Sequence, residues 1–245
     1  MQIIKYKNNE HETLWDDYIL KSNNGTIFHL RKFLSYHRDR NFKDCSLMFY
    51  EKENIKAVFS GAIINNCLYS HPGASFGGFI YNNISFESSR KMVDLLIDYA
   101  KEKKLTDIII IPPPFIYYQL YNEAMEYCLC YKGFNVEEYY ISSFVDLRDN
   151  IEKQIHSRKK RYIKKIANQI TIKESNDLDS FYPILLDNKS RHGTKPTHTL
   201  EELKILMNKF PNQITLLLSY YENKVIGGAL NFITNKNTCV LFYNM

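Results

Sequence analysis

The chain has 245 residues, 44% of them hydrophobic and 24% charged, the composition of an ordinary globular protein with room for one large domain or two small ones. No apolar run reaches the roughly 18 residues a membrane helix needs. The polar start MQIIKYKNNEHE lacks the basic-then-apolar layout of a secretory signal, so no transmembrane segment and a cytoplasmic location are expected. Net charge is +5, yet residues 151–168 alone hold seven Lys or Arg against one Glu, so an anionic partner is expected at that segment and not over the whole surface.

In chain order, QIIKYK predicts a strand and ETLWDDYILKS a helix. GTIFHLRKFLSYH predicts a second helix, with Leu30, Phe33 and Leu34 at helical spacing. SLMFYEKENIKAVFSGAII reads as a hairpin about Glu53-Asn54, and NCLYS as a further strand. After the glycine-rich stretch SHPGASFGGF comes a strong amphipathic helix, SFESSRKMVDLLIDYAKEKK. Ser85 is its N-cap, and Met92, Val93, Leu96, Ile97 and Ala100 form its apolar face. DIIIIPPP is a buried parallel strand stopped by three prolines. A helix over IYYQLYNEAMEY and a strand over VEEYYISSFVDL complete the first half.

The second half repeats the opening order. QITIKES is a strand, DLDSFYPILLDNKS and TLEELKILMNKF are helices, and three strands follow with turns at Glu222-Asn223 and Asn235-Lys236-Asn237. Residues 83–146 of the first copy have no counterpart in the second. The expected fold is α/β with a mixed sheet, in two tandem copies: residues 1–148, a basic helical connector 149–168, and an incomplete second copy 169–245 that stops after its fourth strand.

Five scattered cysteines, Cys45, Cys67, Cys128, Cys130 and Cys239, read as reduced and mostly buried thiols, since Cys128 and Cys130 are too close for a zinc knuckle. The histidines show no ligand spacing, and no structural metal is expected.

Three stretches, HSRKKRYIKKIAN, SHPGASFGGF and VIGGALNF, in this element order, resemble the GNAT acyltransferase fold and within it the double-domain FemAB-like, peptidoglycan-bridge branch. The basic stretch resembles the signature opening that family's second copy, with Asn168 where a glycine is usual. The resemblance implies N-acyl or aminoacyl transfer onto an amine of a cell-envelope precursor, with aminoacyl-tRNA as donor. It also implies a small-molecule acceptor such as a nucleotide- or lipid-linked sugar. Two alternatives stand beside it: an acetyl-CoA-dependent N-acetyltransferase acting on an amino sugar, and a catalytically silent binding module with the same fold.

Candidate residues follow from chemistry. In SHPGASFGGF, Pro72 removes an N–H donor and no Gln or Arg opens the loop, so it reads as a substrate-side rim presenting His71 and Ser75, not as a coenzyme A cradle. Its glycines at 73, 77 and 78 are expected at positive φ in a strand-to-helix turn. In the basic helix, Arg158, Lys160, Arg161 and Lys164 would attract donor phosphates, or else form a solvated face whose Ile155, Tyr162, Ile163 and Ile166 dock. The loop SRHGTKPTHTLEEL places Arg191 and Lys195 to hold an acceptor phosphate or carboxylate, with His192 or His198 to shuttle a proton, ahead of a helix capped by Thr199 and Glu202. FHLRKFLSYHRDR offers Arg31, Lys32, His37 and Arg38, of which Lys32 and His37 are acceptor-side candidates.

Overall fold

A computed structural model of the chain describes residues 1–37, 40 and 42–245; Arg38 lies outside the described residues. The chain forms two compact units, residues 1–138 with 234–238, and residues 139–233 with 239–245.

The first unit is built on one long strand. Its elements are β1 (Gln2–Lys5), α1 (Glu12–Lys21), a 3-10 turn Ile27–His29, α2 (Arg31–Leu34), β2 (Lys43–Asp44), β3 (Leu47–Glu51), β4 (Asn54–Ile64), β5 (Cys67–Ser70), β6 (Gly78–Tyr81), α3 (Phe86–Glu102), β7 (Asp107–Ile109), a second 3-10 turn Phe115–Tyr117 and α4 (Ala124–Tyr131). The seven strands make one mixed sheet ordered β1-β3-β4-β5-β7, with β2 and β6 also on β4. Ala57–Ser60 of β4 pair with β6, and Gly61–Ile64 of β4 pair with β5. β5 and β6 therefore lie end to end on one side of β4, and residues 71–77 are extruded where they meet. On the other side β3 and β2 break at the same level, around Cys45 and Ser46.

Period-2 alternation distributes the apolar side chains to two cores. Leu47, Phe49, Ala57, Phe59, Phe79 and Tyr81 face Met92, Val93 and Leu96 of α3 and Met125 and Cys128 of α4. Met48, Val58 and Ile80 face Tyr6, Trp15 and Ile19. The Ser85 hydroxyl caps α3 by accepting from the Ser88 N–H at 3.2 Å, as expected.

Four first-half expectations are corrected. The helix expected over 25–37 is only the 3-10 turn and one turn of α2, because Leu30 is extended between them and the Arg31 N–H goes to Asp16 Oδ1 at 2.8 Å. The helix expected from Ile116 starts at Ala124. Before it, Leu120 exchanges two hydrogen bonds of 2.7 Å with the Asn23 side chain, and the Gln119 N–H goes to the Asn23 carbonyl, so those backbone groups are satisfied outside a helix. β7 does pair in parallel with β5, but it is a half-buried edge strand and not the buried strand expected. The run over 136–147 enters neither sheet, and Ile141 is 98% exposed.

The second unit contains α5 (Ile151–Gln154), α6 (Ser157–Ile166), β8 (Ile170–Ser175), α7 (Leu178–Ser190), α8 (Leu200–Lys209), β9 (Ile214–Tyr221), β10 (Lys224–Ile233) and β11 (Cys239–Asn244). Its sheet is antiparallel in the order β11-β10-β9-β8. The β9–β10 turn has positive φ at both Glu222 and Asn223, the backbone twist that suits a two-residue hairpin. Phe181 and Leu185 of α7 and Leu203 and Leu206 of α8 are buried with Leu216, Leu218, Leu230 and Phe232 of the sheet. A Cβ at Gly228 would stand 2.7 Å from the Leu217 carbonyl oxygen and 3.0 Å from the Phe181 ring, so only glycine lets α7 come this close to β10. The expected class, α/β with a mixed sheet, is the class observed, the seven-stranded sheet being mixed and the four-stranded one antiparallel.

Trp15, the only tryptophan, is fully buried, donates from Nε1 to the His29 carbonyl at 2.8 Å and has the Arg31 guanidinium 5.3 Å from its ring centre. Trp15→Leu is expected to cost about 3 kcal/mol, from lost packing and an orphaned carbonyl. Urea unfolding followed by far-UV circular dichroism measures it.

Candidate functional site

The extruded loop of the first unit is where sequence, backbone geometry and buried polar groups coincide. It joins strand to strand, with no helix following it directly, so it offers no helix N-terminus to an anion. Of its glycines only Gly78 has positive φ, +78°. The other two answer to close approach: a Cβ at Gly73 would meet the His37 ring at 2.3 Å, and one at Gly77 would meet the His71 N–H nitrogen and the Ser70 Cβ at 2.9 Å. The expectation of three left-handed glycines is corrected accordingly.

The two imidazoles are set by the loop. His37 Nε2 donates to the Gly73 carbonyl at 2.6 Å. His71 Nδ1 accepts the Gly73 N–H at 3.3 Å, which places its proton on Nε2. Phe42 stands between them, its ring 5.6 Å from each and close to perpendicular. His71 is buried, not exposed as the sequence suggested, while Ser75 is exposed. Burial pushes His71 down to about 4, with nearby Asp44 opposing and Arg31 and His37 adding to the depression. It is therefore neutral at pH 7. The Ser60 hydroxyl, at the break in β4, is buried with no hydrogen-bond partner among the described residues.

Beneath the loop lies a buried ion pair that sequence reasoning did not assemble. Arg31 forms a salt bridge with Asp44, donates from Nη1 to Ser46 Oγ at 3.0 Å and lies 3.8 Å above the centre of the Tyr6 ring. Asp44 also accepts from the Ser46 N–H at 2.8 Å. Burial opposes ionisation of Asp44, but Arg31 and the Ser46 hydrogen bonds win and hold its carboxyl below the usual range. Arg31 was visible as a cation in the sequence. Its partner was not, because Asp44 is thirteen residues away in β2 and only the break in the sheet brings them together. Lys32, next to Arg31 on α2, is exposed.

In the second unit Arg158, Lys160, Arg161 and Lys164 are all exposed on α6, capped by His156 Nδ1 accepting from the Arg158 N–H at 3.2 Å. Its apolar side is also open, with Tyr162, Ile163 and Ile166 each about half exposed, so the docked face expected of it is not observed. In the loop after α7, His192 and Lys195 are exposed, and Arg191 pairs with Asp187 at 2.5 Å. His198 lies apart from these in character. It is buried, its Nδ1 is 2.9 Å from the Tyr243 hydroxyl, its N–H donates to the same oxygen, and its carbonyl accepts from Tyr182. These contacts make it a clamp between the loop and β11. The cap expected on α8 is present in both directions, Glu202 N–H to Thr199 Oγ1 and Thr199 N–H to Glu202 Oε2.

Cys45, Cys67 and Cys128 are buried, Cys130 and Cys239 are exposed, and all five are free thiols. Among the described residues no three His, Cys, Asp or Glu converge as metal ligands would, and no helix is long and apolar enough to cross a membrane.

No protein-family model matches the sequence, and no curated protein matches it. Among solved structures the chain is similar to the crystal structure of FemX, with a TM-score of 0.58 at 15% identity over 89% of this chain. The chain spans 57% of the length of FemX. The likeness is one of fold.

Two pH dependences follow from the buried groups. Because His71 is depressed on folding, it contributes stability that is full above the free-histidine value near 6.5 and is lost as pH falls toward 4. His71→Gln is expected to flatten the stability profile in that window, measured by urea unfolding at intervals of pH. Arg31→Met leaves Asp44 without its cation and is expected to cost about 2 kcal/mol at pH 7, less than a fully buried pair because a third of the Asp44 side chain remains exposed. That cost shrinks as pH falls below the free-aspartate value, since Asp44 protonates first in the variant.

Proposed function

We propose that this chain is an N-acyltransferase of the FemAB kind, moving an aminoacyl group from aminoacyl-tRNA onto an amine of a cell-envelope precursor. The observation that carries the reading is the fold likeness to FemX over 89% of the chain. The resemblance of HSRKKRYIKKIAN to that family's basic signature supports the same reading. On this reading the chain works in the cytoplasm, where aminoacyl-tRNA is found.

The roles divide by exposure. Arg158, Lys160, Arg161 and Lys164 contact the donor's phosphate backbone; they share one short helix whose charges are uncompensated by any acidic neighbour on it, and all four side chains reach solvent. Lys195 and Arg191, the latter after leaving Asp187, bind the phosphate or carboxylate of a nucleotide- or lipid-linked acceptor, and Lys32 and Ser75 line the acceptor side of the first unit, whereas His37, also expected there, is buried with its Nε2 on the Gly73 carbonyl. His192 is the imidazole placed to exchange a proton with solvent. His198 keeps its loop in place, and His71 keeps the glycine loop closed against β4. Acyl transfer to an amine needs a proton acceptor and donors for the oxyanion; in the glycine loop the N–H groups of His71, Gly73, Ala74 and Gly77 are already bonded within the unit, which leaves those of Ser75 and Phe76 as candidates for the second task.

Binding of tRNA, measured by filter retention between 50 and 300 mM salt, is expected to weaken steeply with salt. Replacing Lys160, Arg161 and Lys164 together by Ser is expected to reduce the slope of log K against log salt by roughly two to three units. A salt-insensitive interaction, or binding of acetyl-CoA in place of tRNA, overturns the choice of donor.

A further inference from the structure

Away from the glycine loop, the first unit carries an open pocket of about 430 Å³, three of whose rings, Phe115, Tyr121 and Tyr127, are more than half exposed. Four aromatic rings, Phe115, Tyr118, Tyr121 and Tyr127, line it together with two carboxylates, Glu123 and Glu126, and no Lys, Arg or His contributes to the lining. The volume falls in the range of small-ligand sites.

The polar atoms of the cavity are unevenly satisfied. The Tyr121 hydroxyl donates to Glu123 Oε1 at 2.5 Å, and the Tyr118 hydroxyl donates to Glu126 Oε1 at 3.0 Å. Glu126 Oε2 is buried with no hydrogen-bond partner among the described residues. Burial raises the Glu126 carboxyl above its ordinary value, which is the behaviour of an acid with no cation beside it. Each of these rings also presents a face with negative quadrupole potential, and such faces attract diffuse, weakly hydrated cations. A small metal ion would need several converging oxygen, nitrogen or sulfur ligands, and the described residues gather no such set here.

We propose that this cavity binds an organic ammonium group, with the Tyr127, Tyr121 and Phe115 rings as its aromatic wall and Glu126 and Glu123 as its counter-charges. The wall is held by local structure. The 3-10 turn Phe115–Tyr117 presents Phe115, whose ring meets Tyr121 edge-on at 6.0 Å. The first turn of α4 presents Glu126 and Tyr127 in succession, and Tyr127 is stacked on Tyr131 one turn later. Asn23 fixes the intervening Leu120 through its two hydrogen bonds. The inference does not rest on the transferase reading, since neither α6 nor the glycine loop takes part in the cavity.

Three probes separate the chemistry: choline for a quaternary ammonium, n-butylammonium for a primary one, and 3,3-dimethylbutan-1-ol as the neutral isostere of choline. Isothermal titration of the full chain at pH 7.5 is expected to show at least one of the two cations binding roughly threefold to thirtyfold more tightly than the alcohol. Tyr127→Ala and Glu123→Gln, both at exposed positions, are expected to keep the circular dichroism spectrum of the parent and to weaken the cation. Glu126→Gln is expected to weaken it more. Equal affinity for choline, butylammonium and the neutral alcohol overturns the proposal. So does the absence of any cation binding at tens of millimolar, or cation binding unchanged in the folded Tyr127→Ala and Glu123→Gln variants.

Discussion

The first unit depends on the point along β4 where its partners on both sides change over. From Ala57 to Ser60 the strand is flanked by β3 and β6, and from Gly61 to Ile64 chiefly by β2 and β5. A sheet that loses both ladders at one level must satisfy the freed backbone groups otherwise. The Ser60 carbonyl takes the His71 N–H at 3.1 Å, and the Gly61 carbonyl takes the Cys45 N–H at 2.8 Å. Both bonds come from loop residues, so the break recruits the two segments that carry the polar groups of the site.

That recruitment explains why charged and titratable side chains lie in what is otherwise an apolar interior. Asp44 and Ser46 arrive on the segment that leaves β2, and Arg31 arrives on the short helix before it, so the ion pair forms where the ladder cannot. The ring faces of Tyr6 and Trp15 attract the guanidinium electrostatically and replace part of the hydration it loses on burial. With Nη1 on Ser46 and Nη2 on Asp44, and with Nε buried and without a partner among the described residues, Arg31 is a structural cation. Any anion recognised by this unit has to be met by groups nearer the surface, such as Lys32.

Much of the architecture was legible because it rests on short-range pattern. The apolar stripe of α3 with its Ser85 cap, the Thr199–Glu202 box of α8 and the hairpin at Glu222-Asn223 are each determined within a few residues of sequence, and each is present. The failures share a cause of the opposite kind. The helix expected from Ile116 yields to Asn23, almost a hundred residues earlier, and β6 was hidden inside the glycine stretch because Gly78–Tyr81 has meaning only against Ala57–Ser60. VEEYYISSFVDL is rich in the β-branched and aromatic residues that strands favour, yet such composition records only a preference for a half-buried pleated surface, and no strand of either sheet pairs with it. The basic helix was fully legible as charge, whereas the burial of His71 and His198 was not, since histidines in polar stretches look alike whether they face solvent or a neighbouring strand.

The burial of those two histidines narrows the acid–base chemistry open to the chain. An imidazole works as a base through a free lone pair and gains most when its proton equilibrium lies near the working pH. His71 satisfies neither condition, for its Nδ1 lone pair faces the Gly73 N–H and burial holds it neutral. Nδ1 of His198 faces a tyrosine hydroxyl inside the second core. His192 lies in a solvent-exposed loop next to Gly193, whose φ of +67° turns the chain back toward α7. The Thr194 N–H then returns to the Lys189 carbonyl at 3.1 Å, so the turn that carries His192 is ordered by its own backbone. A loop fixed in this way holds an exposed side chain at a defined position, which neither buried histidine offers.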